Sequence, residues 1–268
     1  MKPGENFEID AVSHLNSHYT YCGKIKFVRG DTSDSTKSDI EVIISGRSTF
    51  FIEAKDTAAQ SGQFVLLPNE QDKKFIFSPR NQSEPNEMTD IIIDYMNHDF
   101  ERYNEAGTRG EKIEIDNAIF YNWIISHYTK KGAKFFITKK NSFIIAPTYR
   151  FPYYFDVSAT YRIKKSGSGE PSKKDVDRIE QIIKNVYANA EFNIDGKKLY
   201  TKITNPLSIR DFRLGDYTYR LSEKNSNRYE IRKLSNTYHM NVIFSINVKQ
   251  EQAIEDLFLF KKELGLLR

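Results

Sequence analysis

Residues 38–56 read SDIEVIISGRSTFFIEAKD: two apolar runs, IEVII and TFFIEA, around a Ser-Gly-Arg-Ser break, with Asp39, Glu53 and Lys55 set at their ends. β-Branched and aromatic residues dominate both runs and Gly46 can turn the chain between them, so the segment predicts two adjacent strands. Along the second strand side chains alternate, which places Phe51, Glu53 and Lys55 on one face and Phe50, Ile52 and Ala54 on the other. Two carboxylates and an amine at one end of a strand pair have two readings. One is a solvated, salt-bridged edge; the other is a site for a phosphate and a hard cation.

Working outward, the 268-residue chain suffices for one elaborated domain or two small ones. Its one cysteine, Cys22, excludes an internal disulfide framework and a multi-cysteine zinc centre, fits a reducing compartment and reads as a small buried hydrophobe. The N-terminal MKPGENFEID lacks a basic-then-apolar leader, and no apolar run approaches the roughly 18 residues of a membrane span. The expectation is a cytoplasmic protein with no membrane partner. Charge is unevenly spread: the first 100 residues hold 10 of the 40 Lys/Arg but 16 of the 36 Asp/Glu. Thr129 to Lys174 carries 11 basic residues against Asp156 and Glu170, interleaved with YRFPYYF and TYRIKK. Cations mixed with aromatics suit a polyanion that carries bases, since phosphates attract Lys and Arg while ring and guanidinium planes pack on sugars and bases.

The element order reads as mixed α/β. Phe7, Ala11, Val12 and Leu15 fall at helical spacing over about Glu5 to Tyr19. DTAAQSGQFVLL is either a short helix or an extended segment. EMTDIIIDYMNHDFERYNEA predicts one helix, and DNAIFYNWIISHYTKKG another, with Asp116 as its cap and Gly132 as its stop. AKFFIT and SFIIAP form a hairpin; FDVSATYRIKK alternates, with Ser158, Thr160, Arg162 and Lys164 on its polar face. KSGSGEPS is the best linker, followed by a helix with Val176, Ile179, Ile183 and Val186 on one face, short strands at KLYTKI, YTYRL and RYEIRKL, a strand at MNVIFSINV and a final helix EQAIEDLFLFKKELG.

Several chemistries find no support. His14, His18, His98, His127 and His239 are scattered, without a zinc-protease pattern, and there is no Gly-x-Ser-x-Gly elbow, Walker loop or Gly-x-Gly-x-x-Gly after a strand. The carboxylate pair with lysine remains. Phosphodiester hydrolysis needs Mg²⁺ to offset phosphate charge and to supply a hydroxide-like nucleophile, and such an ion takes oxygen from one or two carboxylates. Asp39 and Glu53 would be those ligands, and Lys55 would bond the attacking water and the developing charge.

SD before one strand and IEAK in the next match the PD-(D/E)XK nuclease motif, with Ser38 where proline is usual. GDTSDSTKSDI, FFIEAKDTAAQSGQFVLLPN, FSPRNQSE, KFFIT, VSATYRIKKSGS and LSNTYHMNVIFSI, in that order, resemble the HhaI-type type II restriction endonucleases over most of the chain. The correspondence is weakest between about Glu170 and Arg232. The resemblance implies a PD-(D/E)XK core, a central mixed sheet flanked by helices; with the linker and the charge distribution it gives a core spanning 1–165 and a basic, β-rich region for DNA binding and recognition at 166–268, continuous with the core or separate from it. It implies Mg²⁺-dependent cutting of duplex DNA at a short symmetric G·C-rich site, GCGC, leaving 5′-phosphate and 3′-hydroxyl ends. A cytosine methyltransferase of matching specificity is the expected companion, acting on the same site without a required complex. The enzyme itself is expected as a monomer or a homodimer.

Residue by residue, the resemblance gives Asp39 and Glu53 as metal ligands, the Ala54 carbonyl as a third, and Lys55 as the residue that positions the nucleophile. Gln63, or alternatively Gln60, lies where relatives place a glutamine near the scissile phosphate, and Glu8 is a further acidic candidate. Reading G·C pairs in the major groove asks for Arg or Lys at guanine and an acceptor opposite cytosine. Arg162, Lys164, Lys165, Asn236, His239 and Asn241 are the candidates, with phosphate clamping the simpler role for the lysines. The competing readings are a structure-selective or repair nuclease, which would cut at junctions or ends, and a non-catalytic DNA-binding protein.

Overall fold

The computed structural model describes residues 3–21, 23–30, 37–82, 84–165, 167–225, 227–235 and 238–267, without the side chains of Pro3, Lys164 and Lys165. Cys22 and Asn236, and the side chains of Lys164 and Lys165, therefore lie outside the described residues. The chain forms two compact units, residues 1–162 with 240–268, and residues 163–239.

The first unit opens with helix α1 (Pro3–Tyr19) and strands β1 (Ile25–Arg29), β2 (Ile40–Ile44) and β3 (Arg47–Ala54). Two residues join β2 to β3, with Ser45 at φ 50° and Gly46 at φ 79°. Both lie in the left-handed region that a tight hairpin turn requires. Next come β4 (Ala58–Asn69), β5 (Lys74–Phe77), α2 (Glu87–Asn97), α3 (Phe100–Asn104), β6 (Glu111–Ile113) and α4 (Asn117–Lys130). The hairpin β7 (Ala133–Lys139) and β8 (Phe143–Pro147), the short α5 (Phe151–Tyr154) and β9 (Phe155–Lys165) follow. The segment with two readings, DTAAQSGQFVLL, is thus extended.

One sheet has the order β1-β2-β3-β7-β8, parallel only between β3 and β7. Phe50, Ile52 and Ala54 point into a core built with Phe7, Ala11 and Leu15 of α1, as the alternation predicts. Glu53 and Phe136 therefore take the opposite face, where Phe136 packs on Phe151 and Phe155. Asp116 caps α4 by accepting from the Ala118 amide at 2.9 Å. The one helix expected from EMTDIIIDYMNHDFERYNEA is two: it breaks at His98 and Asp99, where the His98 Nδ1 bonds the Asp94 carbonyl at 2.7 Å and Asp99 leaves helical geometry at φ −133°.

The second unit holds β10 (Ser168–Gly169), α6 (Val176–Val186), β11 (Glu191–Asp195), β12 (Lys198–Lys202), β13 (Asp211–Leu214), β14 (Tyr217–Asn225) and β15 (Arg228–Leu234). Its sheet runs β11-β12-β15-β14-β13, with β10 on β15. Ile179 and Ile183 of α6 pack against Leu199, Tyr219, Leu221 and Ile231. Val186 was expected on that face but is 44% exposed, because the helix ends there and buried Tyr187 fills the place.

The chain then returns to the first unit through β16 (Tyr238–Val248) and α7 (Ile254–Glu263). β16 lies inside a second sheet, β5-β4-β16-β9-β6, and Phe260 of α7 is buried against Tyr19 and Phe135. The expected division at 165 differs from the observed one: everything from Met240 onward belongs with the first unit. No described helix is long and apolar enough to cross a membrane.

Candidate active site

Asp39, Glu53 and Lys55 converge at the end of β2 and β3. The strand pairing puts Ile40 opposite Ile52, so Asp39 stands beside the end of β3, and its Oδ2 accepts the Ala54 amide at 2.9 Å. Lys55 Nζ lies 2.7 Å from Glu53 Oε1 and 3.6 Å from Asp39 Oδ2. Glu53 is 3% exposed, and its second oxygen, Oε2, is buried without a hydrogen-bond partner. A buried ionised oxygen left without a partner is costly, and a cation is the partner that removes the cost. A solvated edge would not bury the carboxylate in this way.

Electrostatics agree with that reading. Burial pushes the Asp39 carboxyl above its ordinary value and Glu53 adds to the rise, against the opposing pull of Lys55, the Ala54 amide and Lys131. Burial disfavours the Lys55 cation, but the carboxylates of Glu53 and Asp39 outweigh it and hold the ammonium well above the usual lysine range. Two carboxylates share one lysine at this end of the strand pair. Among the described residues no cluster of three His, Cys, Asp or Glu side chains could hold a metal. Two carboxylates suit Mg²⁺, which keeps several waters and needs no full protein cage.

Helix α4 supplies a residue that the sequence reading missed. Tyr128, 1% exposed, faces Lys55, with Nζ 5.6 Å from its ring centroid. Its hydroxyl shares a hydrogen bond with the Ser61 hydroxyl and donates to the Ser61 carbonyl at 3.2 Å. Burial pushes the phenol up despite Lys55, so it stays protonated.

A scan against protein families finds no match to this chain, and a search of curated proteins finds none. A solved structure of HhaI endonuclease in complex with DNA matches with a TM-score of 0.75 and 36% identity, over 97% of this chain and 98% of that one. The chain belongs to the HhaI-type restriction endonucleases. Membership makes it a site-specific nuclease with a mixed α/β fold.

The other candidate residues of this HhaI-type endonuclease have surroundings of their own. Gln60 and Gln63 are exposed on β4 and bond one another at 3.0 Å. Glu8 bonds Arg29 at 2.8 Å. Arg162 on β9 and Asn241 on β16 sit on neighbouring strands, and each has a buried polar atom, Nε and Oδ1, without a partner. His239 is exposed near the start of β16.

Proposed function

We propose that this endonuclease uses Mg²⁺ to hydrolyse phosphodiester bonds of duplex DNA at a short palindromic G·C-rich site, GCGC, leaving 5′-phosphate and 3′-hydroxyl ends. The observation that carries the proposal is the buried Glu53 carboxylate with one oxygen on Lys55 and the other free. Action on DNA is supported by likeness to an endonuclease solved with DNA. The GCGC site and the end chemistry are what the resemblance to that family implies, and so is a companion cytosine methyltransferase that protects the same site.

Asp39 and Glu53 would hold the ion, with the Ala54 carbonyl as a third ligand. When bound, Mg²⁺ supplies charge compensation at the phosphate and a nucleophile of hydroxide character. Lys55 donates hydrogen bonds to the attacking water and to the phosphate oxygens as negative charge grows on them. The Ala54 amide fixes the Asp39 carboxylate in orientation, so that the site is assembled before substrate arrives. Arg162 presents a fork suited to guanine O6 and N7, and Asn241 an acceptor for a cytosine amine; their unpartnered buried atoms support this role. Lys164, Lys165, Asn236 and His239 complete the candidate contacts, and Gln63 or Gln60 would approach the backbone.

Asp39→Asn and Glu53→Gln decide the assignment on an unmethylated plasmid of known sequence. Both should abolish cleavage in Mg²⁺ yet bind DNA nearly as the parent does in Ca²⁺, which fills an oxygen site without supporting the chemistry. Normal cutting by either variant returns the trio to a salt-bridged edge. Fragment ends from the parent enzyme, mapped to the nucleotide, read out the site directly.

A further inference from the structure

We propose that Tyr128 is a positioning residue: its buried ring holds the Lys55 ammonium at the carboxylate pair, and Ser61 holds the ring. The inference rests on Lys55 acting as the catalytic amine.

Glu53 has two duties that conflict. Its Oε1 fixes Lys55 at 2.7 Å, while the same carboxylate is offered to a cation. Once a divalent ion draws on Asp39 and Glu53, the lysine loses part of its anionic anchor. Lysine is a point charge on a flexible four-carbon stem, so an unanchored ammonium samples many rotamers. A ring face within about 6 Å attracts a cation through its quadrupole and does not itself compete for the metal. Tyr128 sits at that range, 5.6 Å.

The ring is itself locked. Ser61, wholly buried, bonds the Tyr128 hydroxyl through both its side chain and its carbonyl. Ser61 faces inward because β4 carries an extra residue. Gln63 pairs with Ile243 and Gln60 with Ser245, so three steps on β4 oppose two on β16. Gly62 at φ +124° absorbs the irregularity and keeps both glutamines exposed while Ser61 points in. A buried serine bonded twice to one phenol, beside a lysine with two anionic partners, is more than core filling requires.

The test uses full-length protein and five variants. Tyr128→Leu should lower the single-turnover cleavage rate at saturating DNA roughly 10-fold or more, with KM and Ca²⁺-supported DNA affinity changed less than about twofold. Tyr128→Phe keeps the ring and Ser61→Ala keeps the phenol; each should cost a smaller, equal factor, and the double variant should lose no more than either alone. In metal-free protein with ¹³C-labelled lysine, the signal identified by its absence in Lys55→Met should be displaced upfield in the parent and Tyr128→Phe, and should return to the ordinary lysine position in Tyr128→Leu. Should Tyr128→Leu not fold, equal and non-additive losses in the Phe and Ala variants support the proposal. A parental rate in folded Tyr128→Leu, a loss confined to KM, or additive Phe and Ala effects overturn it. Retained cleavage by Lys55→Met overturns the catalytic reading of Lys55, a failure distinct from that of Tyr128.

Discussion

His127, one residue before Tyr128, shows how a single side chain near the site ties stability to pH. It stacks on Trp123 with ring centroids 4.9 Å apart and planes 14° from parallel. Burial pushes its imidazole down to about 4, helped by the charges of Lys131, Lys55 and Lys130. The unfolded chain, near 6.5, binds a proton that the folded one refuses, so the stability that neutral His127 contributes is complete above about pH 6.5 and is lost as pH falls through about 4. The unfolding free energy from urea titrations should fall between pH 7 and pH 5, by up to about 1.4 kcal/mol per pH unit, and fall less in His127→Gln. Parallel curves for the two proteins would assign the slope to another group. Legibility at this scale followed charge. Asp39, Glu53 and Lys55 stood out because ionised groups at the ends of apolar runs need a reason. Tyr128 did not, because an aromatic at helical spacing reads as core, and it is core; its contact with Lys55 exists only once α4 lies on β4. Ser61 was hidden for the same reason.

Strand β4 shows what makes an element hard to read. Its first half, AAQSGQ, is small and polar, and the extra residue at Gly62 breaks the two-residue alternation that marks a strand. By contrast β2, β3 and the β7–β8 hairpin have long apolar runs bounded by turn residues, and α4 announces its start with Asp116. Gly62 is also where β4 meets α4: a Cβ there would lie 2.7 Å from Trp123 Cζ3, at a φ that other residues rarely adopt. Gly62→Ala should therefore destabilise the protein by about 1–3 kcal/mol, through backbone strain and overpacking against Trp123. It should also reduce activity by displacing Ser61. An unchanged denaturation midpoint would show that the bulge relaxes freely. The split of α2 from α3 was not legible because MTDIIIDYMNHDF keeps a helical apolar rhythm across the break. At the break Asp99 leaves helical geometry, at φ −133° and ψ 51°.

For the whole molecule, sequence order misleads about assembly. Composition and the linker at KSGSGEPS suggested a cut after 165, yet β16 and α7 belong with the first unit. No local pattern carries that information, since MNVIFSINV would pair equally well in either sheet. A fragment 1–165 lacks an inner strand of β5-β4-β16-β9-β6 and loses Phe260 from its core, so it should show no cooperative unfolding by circular dichroism. Residues 163–239, which keep their sheet and the α6 core, should unfold cooperatively. A cooperative 1–165 fragment would sink this account. The discontinuity also has a consequence for biosynthesis. A ribosome releases the N-terminal residues first, and continuous units fold as they emerge. Residues 163–239 should close on their own, whereas the strand pair bearing Asp39 and Glu53 waits for Phe260, which is made only after the whole second unit. Prematurely terminated chains should then be unable to damage the chromosome of the cell that makes them.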